Sequence, residues 1–328
     1  MQFRTLGKTR FQISEISLGT WQVGGRWGSP FDAQNADRIL HAAMDAGVNF
    51  IDTADVYSDG LSETAVGEAV RQRSEKIYVA TKCGRKLNPH EANAYTPKAL
   101  EKFVDDSLRR TGLESLDLIQ LHCPPTEVYY RPEIFACFEK MKQKGKIQHL
   151  GVSVEKVEEG LKAITYDNVT SVQIIFNIFR QRPADLFFQE AAKKNVGIIV
   201  RVPLASGLLT GQYSSQTTFG PDDHRNFNRD GAAFDKGETF AGIPYETGLK
   251  AVDKIKAIFP ERNNLAPTAL KWILEHPQVS CIIPGASKLS HLESNLSAPD
   301  LLALTAGQKQ ALQDIYEGDI KPLVHHLW

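Results

Sequence analysis

Eight short apolar or β-branched runs, each followed by a stretch of helical periodicity, set the tightest limit on how this 328-residue chain can fold. The runs are SEISLGT at 14–20, VNFIDT at 48–53, KIYVATK at 76–82 and LDLIQLH at 116–122, then IQHLGVS at 147–153, SVQIIFN at 171–177, VGIIVRV at 196–202 and VSCIIPG at 279–285. Strands alternating with helices imply a parallel sheet, because each return to the same edge needs a crossover. IIVRV and SCIIPG are nearly continuous in apolar residues, as strands buried on both faces are. The length fits either one barrel or about two ordinary domains. A doubly wound sheet would normally carry a glycine fingerprint after its first strand, and no GxGxxG occurs here. A closed (β/α)8 TIM barrel, one domain over 1–328, is therefore expected.

Local signals support the helices. Thr96-Pro97 puts a cap before a first-turn proline, Leu100, Phe103, Val104 and Leu108 form a stripe, and Gly112 stops the run. Pro132 and Gly145 bracket a second helix, and ADLFFQEAAKKN, ending at Asn195, reads as a third. Two features depart from the repeat. QFRTLG and FQISEI predict a β-hairpin before the first barrel strand. Between Val202 and Val279 lies an irregular segment, 203–244, followed by two helical stretches, YETGLKAVDKIKAIF and APTALKWILEH, one more than a barrel needs. Phe219, Phe227, Phe234 and Phe240 favour an ordered lid for 203–244 over a surface excursion. The run DDHRNFNRD at 222–230 either pins that lid or is solvated, and the final PLVHHLW either folds over the mouth or frays.

Composition excludes rather than identifies. Lys plus Arg total 38 against 39 acidic residues, which argues against a nucleic-acid or acidic-membrane binder. No apolar run approaches the ~18 residues of a spanning helix, and no secretory signal is read at the start. The cysteines, Cys83, Cys123, Cys137 and Cys281, form no CxxC pair, and the histidines no HExxH. A reduced, cytoplasmic chain without a metal is expected, with Cys83 and Cys123 as packing residues.

Reacting groups in barrel enzymes sit at the carboxyl ends of the strands. Those positions hold Asp52, Lys82 and His122, with Tyr57 in the loop DTADVYSDG and Trp21 after the first strand. Singly each is unremarkable. Together they have a chemical logic. Tyrosine can donate a proton near neutrality but needs activation; a nearby Lys⁺ favours the phenolate, an Asp holds the Lys charged, and a His orients a carbonyl oxygen. Such a set suits reduction of a C=O group, with the hydride left to a nicotinamide cofactor.

The segments LGTW (18–21), NFIDTADVY (49–57), VATK (79–82), DLIQLH (117–122), GVS (151–153), PLASGLLTG (203–211) and IPGAS (283–287) resemble those of the aldo-keto reductases, in particular bacterial-type NADP-dependent oxidoreductases. The resemblance covers essentially the whole chain. It implies a catalytic tetrad of Asp52, Tyr57, Lys82 and His122, with Tyr57 as general acid/base. It implies a substrate pocket lined by Trp21, Trp27, Tyr57 and His122. A cofactor across the mouth would meet Gly19, Thr20, Trp21 and Asp52 at the nicotinamide, and Ser153 and Gln173 at its carboxamide. Pro203, Leu204, Ser206, Gly207 and Leu209 would follow the pyrophosphate, and Gly285, Ser287, Lys288, His291 and Asn295 the adenosine end.

The sequence departs from the family pattern at Val154, where members usually carry Asn, and at Arg201, where many stack an aromatic ring on the nicotinamide. Arg201 could stack instead or form a salt bridge. Lys288 is the only Lys or Arg between Val279 and Asp300, so it is the expected anchor for a 2′-phosphate, and NADP is expected over NAD. The implied activity is hydride transfer between NADP(H) and a small aldehyde, ketone or sugar. Two other readings stand beside it: a Schiff-base aldolase or lyase using Lys82, and a non-catalytic nicotinamide-binding subunit. Oligomeric state is not legible.

Overall fold

Every one of the eight runs forms a strand in the computed structural model, which describes residues 1–25 and 29–328. Trp27, expected in the substrate pocket, lies outside the described residues. The barrel strands are β3 (Leu18–Gly19), β4 (Phe50–Asp52), β5 (Tyr78–Cys83), β6 (Leu116–His122), β7 (Ile147–Ser153), β8 (Val169–Ile175), β9 (Gly197–Arg201) and β10 (Val279–Ile282). They pair in parallel in chain order. The ends meet where the Ser17 amide donates to the Ile282 carbonyl (2.9 Å) and the Gly19 amide to the Pro284 carbonyl (3.1 Å). A Cβ at Gly19 would stand 2.7 Å from the Ile283 carbonyl oxygen, so this closure leaves no room for a side chain. The fold is a (β/α)8 TIM barrel.

The outer ring comprises α1 (Ala33–Asp45), α2 (Leu61–Arg71), α3 (Pro97–Thr111), α4 (Pro132–Gln143), α5 (Val157–Ala163) and α6 (Phe187–Lys193). The short α7 (His224–Phe227) lies in the lid, and α8 (Tyr245–Ile258), α9 (Ala266–Leu274) and α10 (Leu289–Leu296) follow. Helix α3 starts as expected, the Ala99 amide donating to Thr96 Oγ1, and stops at Gly112 with φ +64°. Helix α6 is shorter than the ADLFFQEAAKKN pattern predicts. A 3₁₀ turn occupies Arg182–Ala184, and Leu186, at φ −136°, keeps the two pieces from joining. Helix α9 packs beside β10, and α8 is the additional helix.

The barrel interior is stratified by the two-residue period of its strands. Phe50, Ala80, Leu118, Ile199 and Cys281 make an apolar floor, plugged from below by Leu6 and Ile13 of the hairpin β1 (Phe3–Thr5) and β2 (Gln12–Ser14). Two residues further along β4, β5 and β6 the same face carries Asp52, Lys82 and Gln120, and β8 adds Gln173 at this level. Asp52 and Lys82 thus stand one layer above the apolar floor, at the carboxyl-end mouth.

The 203–244 segment is folded over that mouth. Phe219 meets Tyr213, Phe240 and Tyr245 with ring centroids 5.4–5.9 Å apart. DDHRNFNRD pins the lid rather than being solvated: His224 is buried 4.8 Å from the Trp21 ring, and the amides of Ala233 and Phe234 donate to buried Asn228. The tail does not fray. Trp328 is buried, with Arg180 4.1 Å from its ring centroid and Gly237 and Gly242 of the lid packed against it, so it supports the lid from behind.

Candidate active site

Lys82 organises the mouth. Its ammonium, fully buried at the end of β5, donates to Asp52 Oδ1 (2.5 Å), to the Thr53 carbonyl (2.8 Å) and to the Tyr57 hydroxyl (3.1 Å). Those are all the hydrogens an ammonium has. Burial works against its charge, but Asp52 and Tyr57 outweigh this and raise its pKa above the ordinary lysine value. Asp52 is fixed in turn by Gln120 and Gln173, whose Nε2 atoms donate to Oδ2 at 3.0 and 2.8 Å.

Tyr57 follows Asp52 on a loop that turns back abruptly. Ser58, Asp59 and Gly60 all have positive φ, and Lys86 holds Asp59 at 2.5 Å. The two non-glycine left-handed residues cost about 1–2 kcal/mol each. Burial raises the Tyr57 pKa, and the opposing field of Lys82 is partly cancelled by Asp52. The expected downward shift is therefore reversed, and Tyr57 is protonated at neutral pH. Its oxygen accepts from Lys82, so its own proton remains available. His122 stands edge-on to Tyr57, centroids 6.1 Å apart, with Nδ1 buried and unpartnered among the described residues. Burial, then Arg85, Lys82 and Arg201, depress its pKa well below the usual range, so it is neutral.

Behind this quartet lies a charged cluster. Arg201 Nη2 donates to Glu155 Oε2 (2.9 Å) and the Val154 carbonyl (3.1 Å), and its Nη1 lies 3.3 Å from Glu238 Oε1. Arg201 therefore makes the salt bridge that was one of the two roles read for it. Glu238 belongs to the lid, where Ser206 Oγ donates to its carbonyl (2.7 Å), and its contact with Arg201 of β9 joins lid and barrel. Cys123, Glu155 and Glu238 are the one grouping among the described residues that could hold a metal, but Arg201 already occupies the cation's place. Burial pushes the Cys123 thiol up to about 12, leaving it unionised. Cys83 is likewise a buried, protonated packing residue.

The residues expected around a cofactor fall into three patches. Thr20 is turned inward, donating to the Asp52 carbonyl (3.0 Å) and hydrogen-bonded to Ser62; Ser153 and Gln173 are neighbours across β7 and β8. Pro203, Leu204, Ser206, Gly207 and Leu209 form the start of the lid, where Gly207, at φ +92°, lets Tyr213 approach to where a Cβ would clash. At α10, Ser287 and exposed His291 lie on one face, exposed Lys288 sits at the N-cap without a side-chain cap, and buried Asn295 donates to the Gly285 carbonyl. An uncapped helix start beside a lysine suits a phosphate. The orphaned His122 nitrogen, Ser153 and Gln173 suit a polar ring. The donor set fits a nicotinamide dinucleotide.

Sequence reasoning missed Gln120, Glu155, Glu238 and Arg85. Gln120 was readable, since it lies two residues before His122 on β6 and so faces the same way. No spacing rule connects Glu155 to Glu238.

The aldo/keto reductase family model matches residues 15–317. The chain belongs to that family. It is 28% identical to an uncharacterized oxidoreductase, YqkF, of Bacillus subtilis over 98% of both chains. It is 28% identical to the aldo-keto reductase yakc [NADP(+)] of Schizosaccharomyces pombe, over 87% of this chain and 84% of that one. The solved glycerol dehydrogenase AKR11B4 of Gluconobacter oxydans superposes with a TM-score of 0.78 at 30% identity, covering 99% of this chain and 96% of that one. As a family member this aldo-keto reductase is an oxidoreductase of carbonyl or alcohol substrates with a nicotinamide cofactor. Among its described residues no helix is long and apolar enough to cross a membrane.

Proposed function

We propose that this aldo-keto reductase transfers hydride between NADP(H) and the carbonyl or alcohol group of a small aldehyde, ketone or sugar, with Tyr57 as general acid/base. One observation carries the reading. Lys82 donates to the Tyr57 oxygen, which leaves the phenolic proton free to be given to a substrate oxygen. When bound, the nicotinamide supplies the hydride equivalent. Tyr57 protonates the developing alkoxide, and Lys82, held charged by Asp52, stabilises the phenolate left behind. Neutral His122 can orient the substrate oxygen without competing for the proton. In oxidation Tyr57 acts as the base. Lys288 at the uncapped start of α10 supports NADP, as does the name of the fission-yeast relative.

A Schiff-base role for Lys82 has no support here, because the amine must be neutral and free to attack and this one is charged with every hydrogen engaged. The four free cysteines support a reducing compartment such as the cytoplasm. The test is a panel of carbonyls and alcohols assayed with NADP and NAD forms while cofactor absorbance is followed. Turnover faster with NADP(H) is expected. Binding of cofactor with no turnover across the panel would leave a non-catalytic subunit instead.

A further inference from the structure

Among the described residues, one cation at the mouth has no close partner. Arg180 is covered by Trp328, and Arg201 is held by both Glu155 and Glu238. Arg85, three residues beyond Lys82 on the loop leaving β5, donates no hydrogen bond to any described residue. Its single ion-pair contact, Nη1 to Glu155 Oε1, is loose at 3.8 Å, and its side chain is 22% exposed. The guanidinium lies 5.9 Å from the centroid of Phe234, whose ring is itself 6.4 Å from that of Trp21. Arg85 therefore faces the mouth between the lid and the residues around Tyr57. Of the charges that act on His122, that of Arg85 is the strongest, ahead of Lys82.

A half-buried guanidinium presents five donors in a planar fork matched to carboxylate and phosphate oxygens. Glu155 and Glu238 would repel an anion, but Arg201 holds them more closely, at 2.9 and 3.3 Å, than Arg85 holds Glu155 at 3.8 Å. We infer that Arg85 binds an anionic group, a carboxylate or phosphate, borne by the carbonyl substrate itself. This rests on the proposed carbonyl reduction and narrows its substrate class to aldehydes or ketones carrying a negative charge beside the reacting carbon or a few bonds away. A positive field at the entrance also raises the local concentration of such substrates.

Matched pairs test it: 4-carboxybenzaldehyde against benzaldehyde, and glyceraldehyde 3-phosphate against glyceraldehyde, with cofactor affinity measured separately by fluorescence titration. The wild type should favour the charged member of at least one pair. In Arg85→Ala the charged-to-neutral ratio of kcat/KM should fall about 10- to 100-fold, the range of a charge-assisted hydrogen bond, and in Arg85→Lys by less, since the charge survives without the fork. An unchanged ratio overturns the inference. So does a loss of cofactor affinity that lowers both members of a pair alike, because the anion would then be the cofactor's phosphate. Should no pair turn over, the proposed reaction fails, and binding decides the role of Arg85. Terephthalate titrated against the tryptophan fluorescence of the cofactor-loaded protein should bind at least tenfold more weakly to Arg85→Ala. Equal binding by variant and wild type overturns the assignment.

Discussion

Lys82 and Asp52 form an ion pair 2.5 Å long that is shut away from solvent, with 0% and 2% of their side chains exposed. The pair sits directly above the apolar floor of the barrel, and its remaining lone pairs and hydrogens are met by Gln120, Gln173, Thr53 and Tyr57. Full satisfaction is what makes a dry charge pair tolerable, because removing either partner strands a charge in low dielectric.

Lys82→Met should therefore destabilise the fold by about 3–5 kcal/mol, and Asp52→Asn alone by a similar amount, whereas the two combined should recover most of that loss. Urea denaturation of the singles and the double closes the cycle. A double variant as unstable as the sum of its singles would mean that the two residues do not act as a pair.

Tyr57→Phe removes one hydroxyl and leaves the ring against His122 and Lys82. Turnover should fall by about 10²- to 10⁴-fold, the worth of a positioned proton donor, with cofactor affinity nearly intact. Because burial raises the Tyr57 pKa, the acid form persists into alkaline solution, and reduction should decline only above the ordinary tyrosine range. Rate-against-pH profiles and cofactor titrations check both parts; equal turnover by the variant removes Tyr57 from the mechanism.

Asp55, two residues before Tyr57, is fully buried, with both carboxyl oxygens unpartnered among the described residues. Burial, and then the charge of Glu63, raise its pKa from the ordinary value to about 7. The native state thus binds this proton more tightly than the unfolded chain. Its contribution is intact below about pH 4 and is lost as pH rises through 7. Asp55→Asn should consequently stabilise the protein at pH 8 by about 1–3 kcal/mol, less than the full shift because the amide is also unpartnered, and do little at pH 4. Urea midpoints at the two pH values decide. An equal effect at both would mean that Asp55 is ionised in the native state.

The lid is tied to the barrel through Glu238 and Arg201. Deleting that carboxylate in Glu238→Ala should ease local opening of 203–244 by about 1.5–3 kcal/mol, read as ten- to hundredfold faster amide exchange confined to that segment. Exchange unchanged there would assign the closure to the Phe219 cluster and Trp328 instead.

The barrel was legible because its two periods, alternation in the strands and 3.6 in the helices, repeat eight times, and Asp52, Lys82 and His122 could be placed at the mouth because strand ends are numbered by that repeat. What escaped depends on distance in space alone. Glu238 reaches Arg201 only because an irregular segment folds back across the mouth, and irregular backbone has no period to read. Leu186 broke a predicted helix through one dihedral angle. The sense of the Tyr57 shift was misjudged because a list of neighbours omits how far Asp52 cancels Lys82 and how dry the loop becomes.

Lys288 offers the sharpest test of the cofactor end. It is exposed at the N-cap of α10, where no side chain occupies the helix start, and it is the only Lys or Arg between Val279 and Asp300. NADP differs from NAD by one phosphate, so a lysine that recognises that group should matter to one dinucleotide and not to the other. Lys288→Ala should weaken NADP(H) binding about 10- to 100-fold, as expected for a lost charge-assisted hydrogen bond, while NAD(H) binding changes by less than about threefold. The remaining affinity would come from the helix start, whose dipole is worth only about 0.3–1 kcal/mol when exposed. Fluorescence titration with both dinucleotides measures the ratio directly. A ratio that stays the same would place the 2′-phosphate away from α10 and remove the main support for NADP over NAD.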